Sequence, residues 1–551
     1  MPINLAPYKC LFNEKIWNLL LENIENVSDL SNLSKTTIFL MKFLETKRIE
    51  KFIDYNFNAT ADITLDCCGF KENHVYSEPT NPRRNMNVIS MKKSNNEKCI
   101  DTLYYKNQLS IILGIGELRL DMSKHDYNKL INNAFLDEVV CKIKMVEENT
   151  LKPEILNFNH SHAYINHIIS PYIVSRYSND SVKIIKFNML SFVQHLNEEE
   201  KLKKVDIFRG YREFNELHLY KDISFTYKSE CLNRNSLLIH ILGCLSKRKK
   251  GILKIEISND ANGKLSFLSN IFNISNELNI QLKLSLSIGS EKRRFIEWHE
   301  KIRILKSDVS MCLTTLECLI QYNDELLNLL TLLPKLENLT YLKLLINEFI
   351  IDKSMLEKEI IEVNGMSLKE LKNFKKFTLI TKHDNGDFNK YTHHEIFSIQ
   401  NKLIKLFTLL LPEGIKFLEL ENILFLTPET CGFINDSFEN LEILFCKHVG
   451  FTNSKSLIMF EKIKFLKVIN CPLIEIPENV ELLVQKYYLS TKAPFYKGID
   501  GNIEEENDRQ DKKYGQYFTK KVIDSKRNFK YYFNHLHKWN YYKKFIEKVV
   551  F

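Results

Sequence analysis

Glycine and proline are scarce in this chain of 551 residues, at 16 and 12. That scarcity excludes collagen-like and proline-rich architectures. Long hydrophobic runs are missing as well. No apolar stretch approaches the ~18 residues of a membrane-crossing helix. The opening, MPINLAPYKCLFNEK, has no basic segment followed by an apolar one of signal-peptide length. No membrane span is expected, and a cytoplasmic or nuclear location follows. The twelve cysteines form no C-x-x-C pair, and most sit inside apolar runs. They read as buried small hydrophobes in a reducing compartment.

Catalytic signatures are missing too. There is no G-x-S-x-G, H-E-x-x-H, Walker loop or kinase pattern. Gly114-Ile115-Gly116 lacks the third glycine of a dinucleotide fingerprint and reads as a tight turn. His160, His162 and His167 have no cysteine or carboxylate at metal spacing, and Pro153 and Pro171 flank an expected loop. His393-His394-Glu395 reads as an exposed loop, and Cys67-Cys68 has no evident base nearby. The expectation is a binding protein with no enzymatic activity, no cofactor and no metal.

What is present is a repeat. Leu336-x-x-Leu339-x-x-Leu342-x-Leu344 is answered by Leu371-x-x-Phe374-x-x-Phe377-x-Leu379, Ile415-x-x-Leu418-x-Leu420, Leu441-x-x-Leu444-x-Cys446 and Ile463-x-x-Leu466-x-Val468. Each unit ends in a period-two apolar stretch, the pattern of a half-buried strand. The aligned residues 342, 377, 418, 444 and 466 are separated by 35, 41, 26 and 22 positions. Asn347 and Cys471 stand where such units turn a polar side chain inward to satisfy the backbone. Lys382, Ile423 and Val449 stand there in the other units. Leu118–Leu120, Val140–Ile143, Ile184–Phe187, Leu217–Leu219, Leu253–Ile257 and Leu282–Leu286 offer further rungs, with Ser236–Lys247 as an intervening helix. The pattern resembles the leucine-rich repeat, which implies an α/β solenoid, firm over 331–490. Over 110–330 an irregular continuation and an unrelated α/β domain both remain open.

Between the inward leucines, alternate residues face the concave side. These include His218, Lys254, Glu256, Lys283, Lys343, Thr378, Glu419, Phe445 and Lys467. The set is mixed in sign with one exposed aromatic. It suits a protein target better than a nucleic-acid backbone.

Residues 10–53 differ from the repeats. Ile16, Leu19, Leu20 and Ile24 fall at helical spacing after a possible Asn13 cap. Ser28 or Asp29 precedes Leu30 and Leu33, and Ser34 precedes a third apolar run containing Phe39. Three short helices bury little alone, which leaves a docking surface. With Phe12 opening the segment, it resembles an F-box. The family's usual Leu-Pro-x-Glu start is replaced by Phe12, Asn13, Glu14 and Lys15. The resemblance implies that Phe12, Ile16, Leu19, Leu20, Ile24, Leu30 and Leu33 dock a Skp-family adaptor of a cullin complex. The repeats would then hold a target for an SCF-type cullin-RING ubiquitin ligase. The alternative is a leucine-rich-repeat interaction scaffold unrelated to ubiquitin, with these helices as a solenoid cap.

Net charge is +8. Lys512–Phe551 carries eleven Lys/Arg against two Asp/Glu, so the tail accounts for the whole surplus. Residues 496–513 read as a polar linker. The basic, aromatic tail 514–551 presents Phe529, Phe533, Leu536 and Asn540 on one helical face. It suits a cap on the solenoid, a protein-binding tail, or contact with nucleic acid or a membrane surface.

Overall fold

The computed structural model describes residues 61–66, 89–92, 108–114, 137, 140, 144, 155–157, 165–192, 199–221, 236–257, 267–288, 302–347, 367–382, 392–486, 503–524, 529–535, 538 and 542. The segment 10–53 therefore lies outside the described residues, as do Leu118–Leu120 and Cys67-Cys68. The chain forms two compact units: Met1–Glu256 with Ser266–Leu282, and Ile257–Leu265 with Lys283–Phe551.

In the first unit, β1 (Ala61–Asp66) pairs antiparallel with β2 (Ile89–Lys92) and parallel with β3 (Gln108–Gly114). Parallel pairing continues through β4 (Ile155–Asn157), β5 (Ile184–Asn188) and β6 (Glu216–Lys221). β7 spans Ile252–Ile257. Helices α1 (Ile165–Arg176), α2 (Glu199–Leu202), α3 (Ser236–Ser246) and α4 (Phe267–Glu277) fall between strands. α3 buries Leu237, Leu238, Ile241, Leu242 and Leu245 on one face, as its spacing dictates.

Two expectations are corrected in this unit. Val140–Ile143 is not a rung, because Asp137, Val140 and Lys144 are helical. Positions 137, 140 and 144 share one helix face, and Val140 is buried there. Pro171 does not bound a loop; it lies inside α1. The neighbouring Tyr172, Ile173 and Val174 are buried, so packing holds the helix despite the missing N–H.

The second unit carries the clearer repeat. β8 (Gln281–Ile288), β9 (Leu313–Ile320), β10 (Tyr341–Asn347), β11 (Lys376–Lys382), β12 (Phe417–Glu421), β13 (Ile443–Lys447), β14 (Phe465–Ile469) and β15 (Leu482–Lys486) pair in parallel, each with the next. Leu342, Phe377, Leu418, Leu444 and Leu466 stand in one register row, and all are buried. Helices α5 (Asn323–Leu332), α6 (His393–Leu410) and α7 (Pro428–Ser437) lie between strands. The unequal repeat spacing follows from these connections. The 41-residue interval contains the 18-residue α6, the 26-residue interval the 10-residue α7, and the 22-residue interval only a 3₁₀ turn at Ser456–Met459.

The strand exits use devices that the repeat pattern does not announce. Asn422, His448 and Asn470 follow β12, β13 and β14 with φ of 61°, 53° and 52°. Asparagine and histidine tolerate this left-handed region better than most residues. After β12, where Ile423 replaces the inward polar residue, Gln400 of α6 reaches across. Its carbonyl accepts the Leu424 N–H at 2.7 Å, and its amide donates to the Asn422 carbonyl at 3.1 Å. After β14 the Cys471 thiol donates to the Cys446 carbonyl at 3.4 Å. Gly450 admits no side chain, since a methyl there would fall 2.0 Å from the Leu424 carbonyl oxygen.

His393-His394-Glu395 opens α6 instead of forming a loop. Thr392 caps the helix by accepting the Glu395 N–H at 3.3 Å, and Glu395 accepts the Thr392 N–H at 3.0 Å. This reciprocal box is a helix start signal, and the doubled histidine had obscured it. The expected linker is helical in its second part, as α8 (Ile503–Tyr514). The tail is not helical at Phe529. β16 (Lys520–Asp524) and β17 (Phe529–Phe533) form an antiparallel hairpin, and β17 adds to β15. The five residues FKYYF favour a strand, and all five are buried in it.

Candidate protein-binding face

The side chains of β9–β15 divide by parity. One set enters the core beneath the helices. The other set forms columns across the opposite face of the sheet. Five residues singled out from the sequence fall in one such column, in the order Lys343, Thr378, Glu419, Phe445 and Lys467. Glu317 of β9 continues the column, and its carboxylate pairs with Lys343 at 3.4 Å.

The neighbouring column, two residues earlier in each strand, supplies Tyr341, Lys376 and Phe417. The Lys376 ammonium sits 4.4 Å from the Tyr341 ring centroid and 4.2 Å from that of Phe417. Lys467 sits likewise between Phe445, at 4.8 Å, and Phe529 of the tail hairpin, at 5.8 Å. Lys486 also lies over the Phe529 ring, at 5.4 Å. Phe417 and Phe445 meet edge to face at 4.7 Å and join the two lysine sites.

A polar chain runs between them. Thr378 donates its hydroxyl hydrogen to Glu419 at 2.9 Å, so the Tyr341 hydroxyl, 3.3 Å away, donates to Thr378. Burial pushes the Tyr341 phenol well above its ordinary value. Burial lowers Lys376, and it lowers Lys467 to about 8; the Glu419 carboxylate works against both shifts.

Exposure corrects part of the sequence reading. Thr378 is fully buried and Phe445 is 5% exposed, so neither is the free surface side chain that alternation suggests. They brace the lysines and Glu419, which are half-buried. Tyr341, Lys376 and Phe417 were overlooked, although period two places them beside residues already singled out. Phe529 carries no local signal, because only the hairpin fold delivers it.

In the first unit, Lys186 of β5 stands beside His218 of β6. The His218 Nε2 lies 2.6 Å from a Glu216 carboxylate oxygen, and the residue is 7% exposed. Lys254 and Glu256 pair with each other on β7. Burial lowers Lys186. Burial would raise Glu256, but Lys254 outweighs it and holds the carboxyl below its usual range. Lys283 lies half-buried on β8. Phe12, Ile16, Leu19, Leu20, Ile24, Leu30 and Leu33 lie outside the described residues.

A groove of about 520 Å³ runs along the strand entrances, lined by Lys416, Glu442, Lys464, Glu481 and Lys538 among others. Two ion pairs lie within it: Lys464 meets Glu442 at 3.0 Å, and Lys538 meets Glu481 at 3.0 Å. Burial raises the thiols of Cys244, Cys312, Cys431, Cys446 and Cys471, the last to about 12, so at neutral pH they are not thiolates. Among the described residues no His, Cys, Asp or Glu group has the makeup of a metal site. No described helix is long and apolar enough to cross a membrane.

These features define a mixed α/β repeat protein of the solenoid-like kind, with a braced, charged sheet face. The chain belongs to the family described as Domain of unknown function (DUF8346), which it matches over residues 102–547. No curated protein matches it. Among solved structures, the crystal structure of a Rad7 and Elc1 complex in yeast is similar over 64% of this chain and 88% of that one, with 13% identity and a TM-score of 0.31.

Proposed function

We propose that this chain is a leucine-rich-repeat receptor that serves as the substrate-recognition subunit of an SCF-type cullin-RING ubiquitin ligase. An F-box-like module within residues 10–53 docks a Skp-family adaptor, and the repeat sheet holds a target protein. The chain performs no chemistry itself. It raises the effective concentration of target lysines near the conjugating enzyme. The observation that carries the target-binding half is the in-register column Lys343, Thr378, Glu419, Phe445, Lys467, with rings against Lys467 and, in the neighbouring column, Lys376. Preorganised side chains of both signs beside aromatic anchors are what specific protein recognition uses. The adaptor half rests on the F-box resemblance of Phe12, Ile16, Leu20, Ile24, Leu30 and Leu33.

Co-purification tests it. The full chain is expected to capture a Skp-family adaptor. Ile16→Asp or Leu30→Asp should remove that capture while far-ultraviolet circular dichroism of the repeats stays unchanged. Equal capture by wild type and variants would leave the scaffold reading, without ubiquitin, in its place.

A further inference from the structure

We infer that the sheet face of the second unit receives an extended acidic segment of its partner, with carboxylate side chains seated beside Lys376 and Lys467. The inference rests on the reading that this face binds a protein, and it specifies that protein's chemistry.

Charge balance is the first ground. The face-directed positions of β9–β15 carry six lysines (343, 376, 382, 447, 467 and 486) and three glutamates (317, 419 and 421). Lys343 is matched by Glu317, and Lys447 by Glu421. Glu419 favours the charged form of both Lys376 and Lys467. Six lysines against three glutamates make these strand positions positive on balance. An acidic ligand complements that surplus.

Geometry is the second ground. Each of the two lysines lies against two rings, which restricts the ammonium before any ligand arrives. Ordering that would otherwise oppose binding is already complete. The lysines stand three strands apart, on β11 and β14, and two residues apart along the strands, which is roughly 16 Å at the usual spacings. An extended peptide rises about 3.3 Å per residue, so carboxylates at i and i+4, about 13 Å apart on one side of the backbone, come within side-chain reach of both lysines. Glu419 between the two sites disfavours a third carboxylate midway. The expected ligand thus has acidic residues about four apart, with an apolar or neutral residue between them against Phe417 and Phe445.

Fluorescence anisotropy on the full-length chain tests this with synthetic peptides of one length. These carry glutamate at i and i+4, glutamine at the same places, or lysine there. The glutamate peptide should bind about tenfold more tightly than the glutamine peptide and weaken as salt rises. Lys376→Gln and Lys467→Gln should each reduce its affinity about tenfold, with circular dichroism unchanged. Equal binding of glutamate and glutamine peptides overturns the inference, as does glutamate binding that survives the double variant. So does a single-stranded oligonucleotide that binds more tightly than the peptide and loses affinity in the same variants. Preference for the lysine peptide, weakened by Glu419→Gln, would overturn the acidic chemistry and leave protein binding by the face intact. Adaptor capture is scored separately on the Ile16 and Leu30 variants, so failure here is distinguishable from failure of the ligase reading.

Discussion

Gln400 closes a gap that a regular repeat fills from within the strand exit itself. Its carbonyl is the partner of the Leu424 N–H, and both residues are buried. Gln400→Leu fits the space but orphans that N–H, so it should lower unfolding free energy by about 1–3 kcal/mol in a urea titration. A neutral result would mean the turn can satisfy itself. Lys467 carries a pH signature. Its charge is faced by Glu419 on β12, Lys447 on β13, Lys376 on β11 and Lys486 on β15, and burial dominates, lowering it to about 8. The native state therefore releases this proton before the unfolded chain does. Between about pH 8 and the ordinary lysine value the unfolded chain holds more protons, so stability rises with pH in that window. Lys467→Met should remove this rise; an identical stability–pH slope in the variant would refute it. Sequence alternation located Lys467 but not its burial, because burial comes from Phe445 and Phe529 on other strands.

At the level of elements, the strands were legible wherever the apolar period and the register agree. The rows of Leu342, Phe377, Leu418, Leu444 and Leu466 could be aligned by eye because each is a core position in consecutive rungs. What lies between strands was less legible. α6 begins at His393 by a capping box whose threonine and glutamate flank two histidines, a polar run that reads as an exposed loop by composition alone. β17 reads as a helix face by spacing, and as a strand only once β15 is there to pair with it. Tertiary pairing overrides local periodicity in a short segment. The turn between β12 and β13 makes a sharper test. Gly450→Ala places a methyl against the Leu424 carbonyl, so the turn must shift. A loss of roughly 1–3 kcal/mol is expected by thermal denaturation. An unchanged melting temperature would show that the turn is pliant.

For the whole chain, the family match over residues 102–547 runs through both compact units and leaves residues 10–53 outside it. Repeat sheets of this kind need their last strand covered, because an open edge invites another chain. Here the cover is the tail. Asp511 of α8 receives Lys521 at 2.7 Å, Lys530 at 2.6 Å and the Tyr532 hydroxyl at 2.6 Å. Burial opposes ionisation of Asp511, yet these three donors hold its carboxyl below the usual range. Its contribution is therefore present above the ordinary carboxylate value and lost as pH falls below it. Asp511→Asn removes the ion pair to the buried Lys530, at a cost of roughly 2–4 kcal/mol. Faster proteolysis of the tail should report it, and wild-type protease resistance would contradict it. The sequence could not announce this clamp, since a run of acids and lysines after a polar stretch looks the same whether it is docked or free.

Phe529 belongs to that clamped tail and to the lysine site at once, since its ring lies under both Lys467 and Lys486. Under the inferred binding at Lys467, recognition and docking of the hairpin are thermodynamically linked. A ligand drawn to Lys467 stabilises the docked tail, and a nicked or tagged tail that undocks removes one wall of the site.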